Sequence, residues 1–173
     1  MSDAILDKVR KLLLKAENPG CTPEEAAAFT AKAAELIAKY GVDRALLAAA
    51  VPDSDVVGDL VVDCPAPYAR DKADLLAGVA AALRCDSVRR QTFAADRRTF
   101  AMHLFGFASD LERVELLYTS LLVQAAHGLA GTPVPAWESA PAYRRSWLAG
   151  FRQAICWRLR TAESHAASAA GAG

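Results

Sequence analysis

The residue types that most often carry chemistry are sparse in this chain and badly spaced for it. Its three histidines, His103, His127 and His165, fall in a predicted strand, at a helix end and in the tail. No two of them share the spacing of a metal-ligand pair. The four cysteines, Cys21, Cys64, Cys85 and Cys156, are far apart and form no C-x-x-C pair, so they read as reduced structural thiols rather than a zinc or disulfide set. Ser120, Ser146 and Cys156 lie within helical patterns, not on the strained turn of a G-x-S-x-G nucleophile, and a serine in a helix commonly bonds its own backbone. Neither G-x-x-x-x-G-K-[ST] nor G-x-G-x-x-G occurs. Gly106-Phe107-Ala108-Ser109-Asp110 joins a strand to a helix start, where free amides can receive an anion. It has one glycine, and Asp110 brings negative charge there. Glu24-Glu25 and Glu112 with Glu115 are accounted for as helix caps and surface charge. No catalytic residue, metal ligand or cofactor site is expected, and the sequence favours a non-enzymatic role.

Basic residues show more order. Lys8, Lys11 and Lys15 run along one helix beside Arg10. Arg145, Arg152 and Arg160 recur along the last helix, with Arg144 and Arg158 nearby, and Arg89, Arg90, Arg97 and Arg98 cluster near a strand turn. Such rows can neutralise phosphates, and Tyr143 or Trp147 could stack on bases. The blander account, a solvated helix face whose long stems cover apolar neighbours, is the one the residues themselves favour. The 20 Lys and Arg balance the 20 Asp and Glu among 173 residues, so a nucleic-acid reading rests on local patches and not on overall charge.

The elements that position these residues follow from periodicity. Ile5, Val9, Leu12, Leu13 and Ala16 recur at helical spacing, with Asp3 as a candidate N-cap. Asn18-Pro19-Gly20 ends that helix. Thr22-Pro23-Glu24-Glu25 forms a capping box with proline in the first turn. Ala26, Phe29, Ala33, Leu36, Ile37 and Tyr40 then form a second stripe, closed by Gly41. The result is an antiparallel helical hairpin whose alanines allow close backbone approach.

The segments KVRKLLLKAE and EEAAAFTAKAAELIAKYGVD resemble the uncharacterised bacterial and phage family known as domain of unknown function 2786. Lys11, Leu12, Leu13, Lys15, Ala16, Glu17, Glu25, Ala26, Lys32, Ala33, Leu36, Tyr40 and Gly41 carry that resemblance. LFGFASDLERVELLYTSLLVQA and RRSWLAGFRQAICWRL are similar to the segment that commonly follows in actinobacterial members, with Trp147 where phenylalanine is expected. The resemblance implies no activity and no functional residue. It implies that relatives continue beyond Gly173, so the chain reads as a fragment.

Beyond the hairpin, Asp43 caps a predicted short helix, Arg44 to Ala50, and Pro52-Asp53-Ser54-Asp55 is a boundary. Val56 to Val62 reads as a strand, Tyr68 to Leu83 as a helix, and Val88 to Phe93 and Arg98 to Phe107 as paired strands. The last is apolar on both faces, as in a central or doubly covered strand. Ser109-Asp110-Leu111-Glu112 is a second capping box, opening a helix to about Leu129, and a final helix runs from Pro141 to about Glu163. The fold class is α+β: a helical hairpin domain at 1–51, then a β-α-β-β-α-α unit with a small antiparallel sheet at 56–163, and a disordered tail at 164–173. No apolar run reaches 18 residues and the N-terminus is charged, which points to a cytoplasmic protein without membrane contact. The expected function is a binding module. The first alternative is nucleic acid, contacted through Lys8, Lys11, Lys15, Arg145, Arg152 and Arg160. The second is a protein partner docked on the alanine-rich helices.

Overall fold

The structure, a computed structural model, describes residues 2–172; the side chains of Ser2, Asp3 and Ala94 lie outside the described ones. Five helices and three strands follow in the order α1 (Ser2–Ala16), α2 (Pro23–Ala50), β1 (Val57–Cys64), α3 (Ala69–Ala82), β2 (Asp86–Ala94), β3 (Arg97–Phe107), α4 (Ala108–Gly131) and α5 (Ala140–Gly171). The α+β architecture is therefore as expected, with α1 and α2 packed as a hairpin.

The Thr22 hydroxyl accepts from the Glu25 amide at 3.2 Å, and the Glu25 carboxylate accepts from the Thr22 amide at 2.9 Å, completing the capping box. The buried face of α1 is Leu6, Val9, Leu13 and Ala16, with Ile5 and Leu12 at its margins. Asp3, expected as its cap, lies inside the helix.

Gly41 does not stop α2. The helix runs through it to Ala50, so no separate helix is capped by Asp43. The reason is steric: a Cβ at Gly41 would lie 2.4–2.7 Å from the Arg113 guanidinium atoms. Glycine here makes room for a side chain from α4. The second capping box is also replaced. Ser109 sits within α4, and its amide and hydroxyl both donate to the Asp55 carboxylate, at 3.1 and 2.5 Å. Asp55 thus caps α4 from 54 residues away, and Asp110 is free to turn inward.

The sheet is antiparallel in the order β1-β3-β2. The Ala95-Asp96 turn between β2 and β3 has positive φ at both residues, 48° and 62°, the geometry that matches strand twist in tight hairpins. β3 is central but not doubly covered. Met102 and Leu104 are buried under the helices, whereas Phe105 and Phe107 on the opposite face are exposed.

Hairpin and sheet unit share one core. Val9, Leu13, Ala33 and Ile37 belong to the same cluster as Val79, Leu104, Leu117, Ile155 and Leu159. The expected boundary between 1–51 and 56–163 is a single 3-10 turn, Pro52–Ser54, beside that common core. Of the alanine-rich face expected to dock a partner, Ala33, Ala34 and Ala38 are buried in this core, whereas Ala28, Ala45 and Ala49 stay exposed. A polar seam, Thr30 to Gln124 at 3.0 Å and Gln124 to Ser120 at 3.1 Å, ties α2 to α4.

Residues 164–171, expected as a disordered tail, continue α5. Alanine is the strongest helix former, and a run rich in it extends an established helix without a periodic apolar face. Ala166 and Ala169 border a shallow groove with Lys39 and Asp43 of α2. Among the described residues no helix is long and apolar enough to cross a membrane.

Candidate functional site

Two arginine-centred clusters stand out, and only one is open to solvent. The closed one surrounds Arg113, which has no exposed surface. Its Nε and one terminal nitrogen donate to Asp110 at 3.1 and 2.6 Å, and that same nitrogen reaches the Leu83 carbonyl at 3.4 Å. The other terminal nitrogen donates to the Ile37 carbonyl at 3.2 Å and to the Glu163 carboxylate. Arg84 adds bonds to Asp110 at 2.8 Å and to the Gly41 carbonyl at 2.9 Å. All five guanidinium donors are thereby used. The cluster ties α2, the end of α3, α4 and α5 together. Burial pushes the Glu163 carboxyl above the usual range, with Arg113 pulling the other way.

The open cluster centres on Asp74 of α3. Its carboxylate lies 2.8 Å from Arg89 of β2, 3.5 Å from Arg152 of α5 and 4.0 Å from Arg70 one turn earlier. One carboxylate thus orients three guanidiniums, most of whose donors stay free. The β2–β3 hairpin overhangs the N-terminal half of α3, and its helix-facing side presents Arg89, Gln91, Arg98 and Phe100. With Arg70, Asp71 and Asp74 of α3 and Arg145 of α5 they enclose a groove of about 690 Å³. Arg89 lies over the Phe100 ring at 6.0 Å, and Arg98 over Phe93 at 5.9 Å. Beyond Asp74 a second groove continues along α5 past Arg152 and Arg160. There α3 and α5 cross closely, since a Cβ at Gly78 would lie 2.5 Å from the Cys156 sulfur.

An apolar pocket of about 440 Å³ lies on the other side of Tyr68 and Asp71, which line both it and the arginine groove. α3, α4 and α5 form its walls. Leu122, Leu129, Leu148 and Phe151 supply apolar surface, and Lys72 and Arg144 stand with Asp71 as its charged groups. Tyr68 is held in the left-handed region, φ 60° and ψ 36°, a costly conformation for a bulky residue.

The six sequence-predicted basic residues therefore divide. Arg145, Arg152 and Arg160 join Arg70, Arg89 and Arg98 on one face. Lys8, Lys11 and Lys15 are exposed on α1, which makes no contact with α5, and Lys15 sits over the Phe29 ring at 5.6 Å. Strand alternation splits the hairpin arginines: Arg89 and Arg98 face the groove, Arg90 and Arg97 the outer side. Trp147, considered for base stacking, packs instead on Phe151 at 5.4 Å and against Gly128. The sequence reading does not find Asp74 or the pocket, because nothing in local spacing shows that Arg89 of β2 and Arg152 of α5 meet at one carboxylate of α3.

Burial pushes the Cys85 thiol up to about 11, and raises Cys64 and Cys156 as well. His103 pairs with Asp59 at 2.7 Å on the outer sheet face and stacks near Phe105. Among the described residues no three His, Cys, Asp or Glu side chains are grouped to hold a metal ion.

Comparison with protein families places the hairpin. Residues 4–44 match the family described as "Protein of unknown function (DUF2786)". The DUF2786 match covers α1 and most of α2, including Tyr40 and Gly41, and so includes the glycine that admits Arg113. The open arginine cluster and the apolar pocket lie outside the DUF2786 match. No curated protein and no solved structure matches the chain.

Proposed function

We propose that this protein is a non-enzymatic cytoplasmic module that binds nucleic acid on the face formed by α3, α5 and the β2–β3 hairpin. One observation carries the reading. Arg70, Arg89, Arg98, Arg145, Arg152 and Arg160 gather around grooves whose lining, among the described residues, has Asp71 and Asp74 as its carboxylates. These are six of the 20 Lys and Arg of a chain whose net charge is zero. Guanidiniums suit phosphate because their planar donors bind it in pairs, and Asp74 holds three of them in place without using up their donors. The contacts would go to the backbone, so affinity is set by phosphate number and salt, with little reading of sequence.

The test is fluorescence-anisotropy titration with duplex and single-stranded probes at several salt concentrations. Each phosphate contact contributes roughly 0.9 to the log–log salt slope for duplex and about 0.7 for single strands. Arg89→Glu with Arg145→Glu should flatten the slope and weaken binding while the circular-dichroism spectrum is kept. No binding of any probe at low salt overturns the reading.

A protein-contact role has a specific observation of its own, the uncovered outer face of the sheet. Val57, Val61, Val88, Phe105 and Phe107 are all exposed there. Capture of a partner that resists salt and is lost on Phe105→Lys would favour it, since apolar docking is not screened.

A further inference from the structure

We infer that the apolar pocket between α3, α4 and α5 receives a single unpaired base of a bound strand, so that the protein selects single-stranded over duplex nucleic acid. This deepens the phosphate-binding reading and rests on it. The juxtaposition is specific: the pocket and the arginine groove share Tyr68 and Asp71, which line both. A strand whose phosphates lie along Arg145, Arg70 and Arg98 would bring a neighbouring base to this wall.

The pocket suits that occupant. At about 440 Å³ it falls within the roughly 300–1,000 Å³ of small-molecule sites and admits a base with part of its sugar. Leu148, Phe151 and Leu122 offer apolar walls to the faces of a ring. Asp71 is an acceptor and Arg144 a donor for the polar edge that every base carries. The anionic head of a fatty acid or phospholipid would sit beside Asp71 where pocket meets groove, whereas the amino group of a base donates to it, so charge complementarity favours a strand. Tyr68, strained at φ 60°, stands where the backbone would turn from groove to pocket. A base held in a duplex cannot enter without the cost of unpairing, which is the origin of the selectivity.

The experiment compares two short single strands of equal charge, one with bases and one abasic, together with the matching duplex. The protein and its Ala126→Trp variant are titrated with each. Ala126 is an exposed residue of α4 on the pocket wall, so the indole fills the pocket without disturbing the core. The native protein should bind the strand with bases about tenfold more tightly than the abasic strand, the order of one stacked base. Ala126→Trp should bring that ratio close to one, leave abasic affinity unchanged and keep the circular-dichroism spectrum. Equal affinity of the native protein for both strands overturns the base pocket and leaves the phosphate reading standing. A ratio that survives Ala126→Trp also overturns it. Failure of every probe to bind removes the phosphate reading, and the base pocket with it.

Discussion

Arg113 and Arg89 are the same residue type in opposite circumstances. Arg113 is fully buried, and all five donors are bound by two carboxylates and two carbonyls. Arg89 is exposed, shares one carboxylate with Arg152 and Arg70, and keeps most of its donors for solvent or a ligand. The difference teaches what decides whether an arginine is structural or available. A buried guanidinium must be saturated, because each missing partner leaves an unmet charge in a dry site. An exposed one gains little from its pair in stability, and the pair instead fixes where the remaining donors point.

This contrast can be broken most directly at its buried side. Arg113→Met should cost about 3–5 kcal/mol, because Asp110 and Glu163 are left buried with their main partner gone. Urea denaturation measures it, and a loss below about 0.5 kcal/mol, the range of ordinary surface changes, would place Arg113 among the dispensable arginines. Gly41→Ala should be smaller, about 1–3 kcal/mol, since its Cβ pushes the guanidinium out of line with Ile37 and Asp110.

Glu163 sharpens the comparison through pH. Burial makes its folded carboxyl hold a proton to higher pH than the unfolded chain does, against the pull of Arg113. Between the two midpoints the folded state binds more protons, so this group's contribution to stability falls as pH rises just above the ordinary glutamate range, and is level beyond the folded midpoint. Denaturation across the acidic range should show that fall in the native protein and its absence in Glu163→Gln.

At the exposed side the expected stability change is smallest. Arg89→Glu should stay within about 0.5 kcal/mol of the native protein, yet weaken strand binding and lower the salt slope by about 0.7 per lost contact. Replacing Lys8, Lys11 and Lys15 by Glu should change that slope less than Arg89→Glu with Arg145→Glu, because α1 lies away from the arginine face. Titrations of the three proteins side by side check it.

Much of the scaffold was legible in local sequence because local physics builds it. The Thr22 capping box, the α1–α2 hairpin and the paired strands at 86–94 and 97–107 depend on neighbours within a few residues. Where the reading failed, a distant residue had replaced a local one. Gly41 looked like a helix stop and is a clearance for Arg113. Ser109 looked like a cap and is capped by Asp55. Residues 164–171 lack periodicity and still continue a helix, because alanine propagates one that packing has already nucleated.

By itself, the sequence determined the α+β order, the helical hairpin and the basic rows, since periodicity and capping are properties of short segments. Only the tertiary structure decided which basic rows share a face. Arg145 and Arg89 lie 56 positions apart and line one groove because α5 crosses α3 at Gly78 beside Asp74. Lys8, Lys11 and Lys15 are as regular in sequence, yet α1 packs on α2 and α4 and never touches α5. Charge is written residue by residue, but a surface potential is a sum over neighbours in space, and helix packing chooses the neighbours.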